Sequence, residues 1–218
     1  MKKKIMAIAL VVVMLSVVIV GGSLAYFTDE TDVKNNVFTV GNVMIELDEP
    51  AWTETGSVDA PDVYPGEALD KDPTVSNIGD NPCFVRVSVE GLDCLGDDLL
   101  ITTESDNDAN GDGLDDNWVY DEETGYYYYT KVLCAPGTEG ESWNEGLAAV
   151  TTALFDRIRI PTELTNDDDV LGEDTFSVDV FAQAVQAQGA KPKFADVKTM
   201  TADEIIAWFE TCIPAPQG

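Results

Sequence analysis

Between Asn36 and Ala187, apolar residues recur at alternate positions in short runs, and proline, glycine or asparagine breaks each run after about ten residues. A period of two belongs to strands that bury one face, so the chain is held to a mainly β fold. The clearest run is Cys83–Glu90, where Val85, Val87 and Val89 alternate with Phe84, Arg86, Ser88 and Glu90. Val37, Phe38 and Val40, then Val43, Ile45 and Leu47, make two further runs hinged at Gly41-Asn42, the pattern of half-buried strands joined by a turn. Thr74–Ile78 lies between the turn signals Pro65-Gly66 and Gly79–Pro82. Val119–Leu133 predicts a hairpin with a polar turn at Asp121–Gly125 and four successive tyrosines, whose rings suit a sheet while their hydroxyls stay in water. Leu154–Ile160, closed by Pro161, and Thr175–Ala187 complete the strands, the last with a helical alternative over Phe181–Gln188. Together they predict an antiparallel β-sandwich of jelly-roll type. The end of the chain reads as a helix, with Thr201 as N-cap, Glu204 closing a capping box, and Ile205, Ile206, Trp208 and Phe209 on one side to cover an open sheet edge.

The N-terminus predicts export. Lys2, Lys3 and Lys4 precede an apolar stretch from Ile5 to Val20, Gly21-Gly22 breaks it, and the small residues Ser23 and Ala25 set cleavage between Ala25 and Tyr26. The rival is an uncleaved anchor, since no charge occurs from Ile5 through Thr28. No second apolar run of spanning length follows, so the expected product is a secreted or surface-attached chain with no membrane segment after cleavage. Losing three lysines takes the net charge from −29 to −32. A charge of that size repels nucleic acid and anionic membrane and favours counter-ions.

The chain has no histidine, which excludes His-based zinc motifs, Ser-His-Asp triads and Cys-His pairs. P-loop and dinucleotide fingerprints are absent, no carboxylate pair stands out from so acidic a background, and the chain reads as a non-enzyme. Cys83, Cys94, Cys134 and Cys212 permit disulfides in an exported protein. Cys83 and Cys94 flank one strand, which favours Cys94–Cys134 with Cys83–Cys212, and free thiols are the alternative. The sharpest ligand signal is Asp106–Asn117. From Asp108, the residues Asp108, Asn110, Asp112 and Asp116 take loop positions 1, 3, 5 and 9, with Gly113 at the sharp turn and the Leu114 carbonyl at position 7. That spacing gathers hard oxygens for Ca²⁺, although position 12 is Val119 instead of glutamate.

The signal junction Gly21–Asp29 and the run Asn36–Leu47 resemble the TasA/camelysin family of exported biofilm-matrix and cell-surface proteins of Gram-positive bacteria. Shorter likenesses follow at Tyr64–Gly66, Asn77–Gly79, Phe84–Val87, Asp115–Trp118, Gly125–Tyr129, Leu154–Pro161 and Ala182–Gly189. The resemblance implies a dedicated signal peptidase of the SipW type, a jelly-roll domain, and assembly with other copies of the chain, and with related matrix proteins, into extracellular fibres. It also implies that the mature N-terminal segment acts as a donor strand in a neighbour, with Phe27, Val33, Val37 and Phe38 as its anchors. The expected organisation is a signal peptide over 1–25, an arm over 26–40, a jelly-roll domain over 41–200 with an acidic insertion at 95–117, and a helix and tail over 201–218. Camelysins are also classed as metallo-endopeptidases, so a surface peptidase is one alternative function and a monomeric adhesion module another.

Overall fold

The computed structural model describes residues 36–37, 43–59, 64–92, 100–102, 108–109, 111, 113–162 and 177–215. The strands are β1 (Asn36–Val37), β2 (Ile45–Asp48), β3 (Ala68–Asp70), β4 (Thr74–Asn77), β5 (Cys83–Glu90), β6 (Leu100–Thr102), β7 (Trp118–Asp121), β8 (Tyr126–Tyr129), β9 (Arg157–Arg159) and β10 (Asp179–Gln186). Helical segments are few and short: α1 (Ser57–Asp59), α2 (Phe194–Val197) and α3 (Ala202–Cys212), plus a π-helical turn at Trp52–Gly56 and a 3-10 turn at Ser142–Asn144. The fold is therefore mainly β. One sheet has the order β1-β10-β5-β8-β7, a second pairs β2 with β4, and a third runs β3-β9-β6. These ladders are antiparallel except β1 on β10, which is parallel.

β5 sits at the centre of the large sheet and is buried on both faces from Cys83 to Val87. Val85 and Val87 face Val43 just before β2, Ile45 at its start, Val75 of β4 and Ile158 of β9, and this is the first core. Phe84 faces the other way and, with Tyr128 of β8 and Val185 of β10, packs against Ile205 and Phe209 of α3. Each such side chain, fully withdrawn from water, contributes about 1.5–3 kcal/mol. The expectation that the terminal helix covers a sheet edge is thus corrected: α3 covers a face, because the alternation in β5 and β8 is apolar on both sides there. Its start is as the sequence indicates. Glu204 N donates to Thr201 Oγ1, and Thr201 N donates back to the Glu204 carboxylate, whose pKa is lowered first by the Lys191 ammonium and then by that backbone amide.

Two other expectations change. The runs on either side of Gly41-Asn42 do not form one paired unit: β1 joins β10, while β2 pairs with β4 from Ile45↔Asn77 to Asp48↔Thr74. Gly41-Asn42 itself lies outside the described residues. Nor do all the tyrosine hydroxyls of β8 reach water. Tyr128 is fully buried, its hydroxyl donating to Thr124 Oγ1 and accepting from Arg86. The hairpin is present, with β7 and β8 paired from Trp118↔Tyr129 to Asp121↔Tyr126, and the helical alternative for 181–188 is replaced by strand through Gln186.

The π-helical turn lies against β3, with Gly56 next to the Asp70 carbonyl. Three consecutive side chains clamp it. The Thr55 hydroxyl donates to Asp70 at 2.7 Å, and Ala51 N donates to Asp72 at 2.7 Å. The buried Lys71 ammonium reaches both Glu49 oxygens at 2.8 and 2.9 Å and lies 5.0 Å from the Trp52 ring centre. The Thr55 hydroxyl and then Arg157 hold the Asp70 carboxyl below the ordinary carboxylate range. A lowered folded-state pKa stabilises the fold above the unfolded-state value, and that contribution is lost as pH falls through the folded-state value.

Candidate assembly edge and acidic loop

β10 is antiparallel to β5 along its whole length, from Asp179↔Glu90 to Gln186↔Cys83. Its other side receives β1 in parallel register, Asn36↔Ala182 and Val37↔Gln183. An edge of this kind accepts a strand through main-chain groups, with alternate side chains setting specificity. Of the four arm anchors, Val37 lies in a described strand; Phe27, Val33 and Phe38, like the cleavage pair Ala25 and Tyr26, lie outside the described residues. Ala182 and Ala184 point from β10 into the first core.

On the opposite face of β10 the Gln183 carboxamide oxygen accepts from Arg86 Nε at 2.8 Å. Arg86 is fully buried. Its other nitrogens donate to Tyr128 Oη (3.1 Å), Glu210 Oε1 (2.9 Å) and the Ile213 carbonyl (2.9 Å), and its guanidinium carbon stands 4.0 Å from the Tyr126 ring centre. One cation thereby joins β5, β8, β10 and the end of α3. The alternation puts Arg86 on the same side of β5 as Phe84, Ser88 and Glu90 and gives no sign of this role, since Glu210 lies 124 residues away. The capping box and apolar stripe of α3 were the local clue that something must be buried beneath it.

Within the acidic segment, Asp108, Leu114 and Asp116 are described, whereas Asn110 and Asp112 lie outside the described residues. Asp108 Oδ1 accepts from Gly111 N at 2.8 Å and Oδ2 from Gly113 N at 3.2 Å, while both oxygens of Asp116 accept from Ala109 N. Leu114 and Asp115 are buried, and Asp115 Oδ1 accepts from Asn117 and from the Thr152 hydroxyl, which anchors the end of the loop to the segment before β9. Among the described residues no group of three or more acidic or cysteine side chains stands close enough to hold a metal ion.

Cys83, Cys134 and Cys212 are free thiols; Cys94 lies outside the described residues. The favoured Cys83–Cys212 and Cys94–Cys134 pairings are therefore not what the structure has. Cys83 is buried in the core on one face of the large sheet, whereas Cys212 is exposed on α3 over the other face, so the sheet itself separates them. Burial, and then the nearby Cys134, push the Cys83 thiol far above its ordinary range. Thiols held protonated in this way are poor nucleophiles.

Residues 1–89 match the family model described as camelysin metallo-endopeptidase. Over that stretch, about two-fifths of its length, the chain is similar to the camelysin family. No curated protein and no solved structure matches the chain. The camelysin match runs from the N-terminus almost to the end of β5 and stops before the acidic segment, β10 and α3. The likenesses noted further along, from Asp115 to Gly189, fall outside it. Camelysins are cell-surface associated, and no helix among the described residues is long and apolar enough to cross a membrane. The chain has no histidine, so carboxylates and thiolates are its only strong side-chain metal ligands, and among the described residues they form no cluster.

Proposed function

We propose that the mature chain is a structural subunit of extracellular fibres or biofilm matrix, exported through a dedicated signal peptidase and assembled by donor-strand exchange of its N-terminal arm into a jelly-roll-type sandwich. The observation that carries this reading is the parallel seating of β1 on the edge of β10, in a different sheet from β2, the next strand along the chain. A strand held at an edge in this way is separable from its own domain, and the same edge on another copy can take it. Donor and acceptor surfaces differ, so the contact is heterologous and propagates as an open filament. Assembly brings highly charged subunits together, and raising ionic strength to physiological values shortens the screening length to about 8 Å and should speed it.

Electron microscopy of the mature protein is expected to show filaments at physiological salt, and none from a protein lacking residues 26–36. Filaments of normal length from the shortened protein would rule out donor-strand assembly. A wild type that stays monomeric in every salt and calcium condition would favour the adhesion module instead. Peptide cleavage abolished by replacing specific carboxylates would favour the peptidase.

The acidic loop is our proposed Ca²⁺ site, with ligands from Asp108, Asn110, Asp112, the Leu114 carbonyl and Asp116. Supporting it, Asp108 already accepts from the backbone of Gly113, its partner across the turn at position 6. Calcium titration is expected to raise the unfolding midpoint by mass action on the folded form, and Asp108→Ala with Asp112→Ala is expected to remove the effect. An unchanged calcium response in the double variant would reduce the loop to a turn.

A further inference from the structure

The strand proposed to pass between copies is already seated within one chain, since Asn36 and Val37 pair with Ala182 and Gln183 of the same molecule. We infer that the free subunit caps its own β10 edge with its own arm, so that growth requires exchange of this intramolecular pairing for a neighbour's arm. The inference rests on the donor-strand reading, and it adds a gate to it. β1 is tethered close by: β2 begins at Ile45, eight residues after Val37, and lies beside both β1 and β10. A segment on so short a tether presents itself to its site at an effective concentration of order millimolar, far above the concentration of any free neighbour. A neighbour's arm therefore does not enter by mass action alone.

Among the described residues, β1 engages two of the eight residues of β10, whereas β5 engages all eight on the other side. Release of β1 from β10 sets the pace of exchange. Added arm is expected to bind at a rate that levels off at high concentration, the mark of a site that must first be vacated.

The test uses a fluorescent synthetic peptide of residues 26–40 and mature protein held below its polymerising concentration. Uptake by the intact chain is expected to reach a plateau rate as peptide is raised. Two variants remove the cap. Asn36→Pro with Val37→Pro keeps the chain length but removes backbone donors that a ladder needs; a deletion of 26–37 removes the strand outright. Both are expected to take up peptide at least tenfold faster than the intact chain, with a rate linear in peptide concentration. Equal, linear uptake by intact and proline-substituted protein would overturn the self-capping inference while leaving donor-strand assembly standing. Uptake by none of the three proteins would overturn the donor-strand reading and this inference with it.

Discussion

Arg86→Ala is expected to lower the unfolding free energy by about 3–5 kcal/mol, read as a fall in the urea midpoint. For a domain whose whole stability is about 5–15 kcal/mol, that brings the protein close to unfolding. Two effects act together. The substitution empties the space of a long side chain that is wholly buried, and it strands the Gln183 oxygen and the Ile213 carbonyl, which accept from it. A buried acceptor left unpaired costs about 1–3 kcal/mol. Removing only the acid has a different profile. Glu210→Ala leaves a cation inside the protein, but the aromatic rings of Tyr126 and Phe209 and three other acceptors remain around it, and the Glu210 side chain is 32% exposed, so water can partly replace it. The loss should be smaller than for Arg86→Ala. Arg86→Met with Glu210→Leu keeps the volume, removes both charges and should recover part of the loss. If Arg86→Ala shifted the midpoint by less than about 1 kcal/mol equivalent, the guanidinium could not be holding α3 to the sheet.

Gly56→Ala is expected to cost about 2–4 kcal/mol and to free the turn that carries Trp52. Taken alone, an alanine in a helical segment is favoured over glycine by roughly 1 kcal/mol, so propensity predicts the opposite sign. Sterics decide the matter. A Cβ at this position would lie 2.1 Å from the Asp70 carbonyl oxygen and 2.7 Å from Trp52 Cε3. The first neighbour is backbone of a strand paired with β9 and cannot withdraw, so the turn must move instead. That movement pulls on the Lys71–Glu49 pair and on the Ala51–Asp72 hydrogen bond. Denaturation monitored by tryptophan emission would report both the loss and its place. An alanine variant as stable as wild type, with unchanged emission, would mean that the turn does not sit against β3.

What local pattern governs was legible in the sequence. The alternation of Cys83–Glu90 gives β5, and the Thr201–Glu204 box gives the start of α3, because each depends on neighbours within a few residues. What depends on distant partners was not legible. A run of alternating apolar residues cannot say which strand it will pair with, and so β1 and β2 were read together although they belong to different sheets. An apolar helical stripe says that a face will be buried but not against what, which is why α3 was assigned to an edge. The turn at Trp52–Gly56 has no periodicity of its own; Asp70, Lys71 and Asp72 hold it from a different part of the chain. In the acidic segment the Asp108–Gly113 contact follows from loop spacing, whereas the burial of Asp115 depends on Thr152, 37 residues further along the chain.

The parallel sense of β1 on β10 carries a directional consequence for any fibre built from it. Were a neighbour's arm to take the place of β1 in the same sense along β10, all subunits would share one heading and the fibre would have two unlike tips. One tip would present an acceptor edge, and the other an arm with no neighbour to enter. Elongation at the two tips then proceeds by different steps and need not be equally fast. A subunit fixed to a surface by one tip would commit the whole fibre to a single outward orientation.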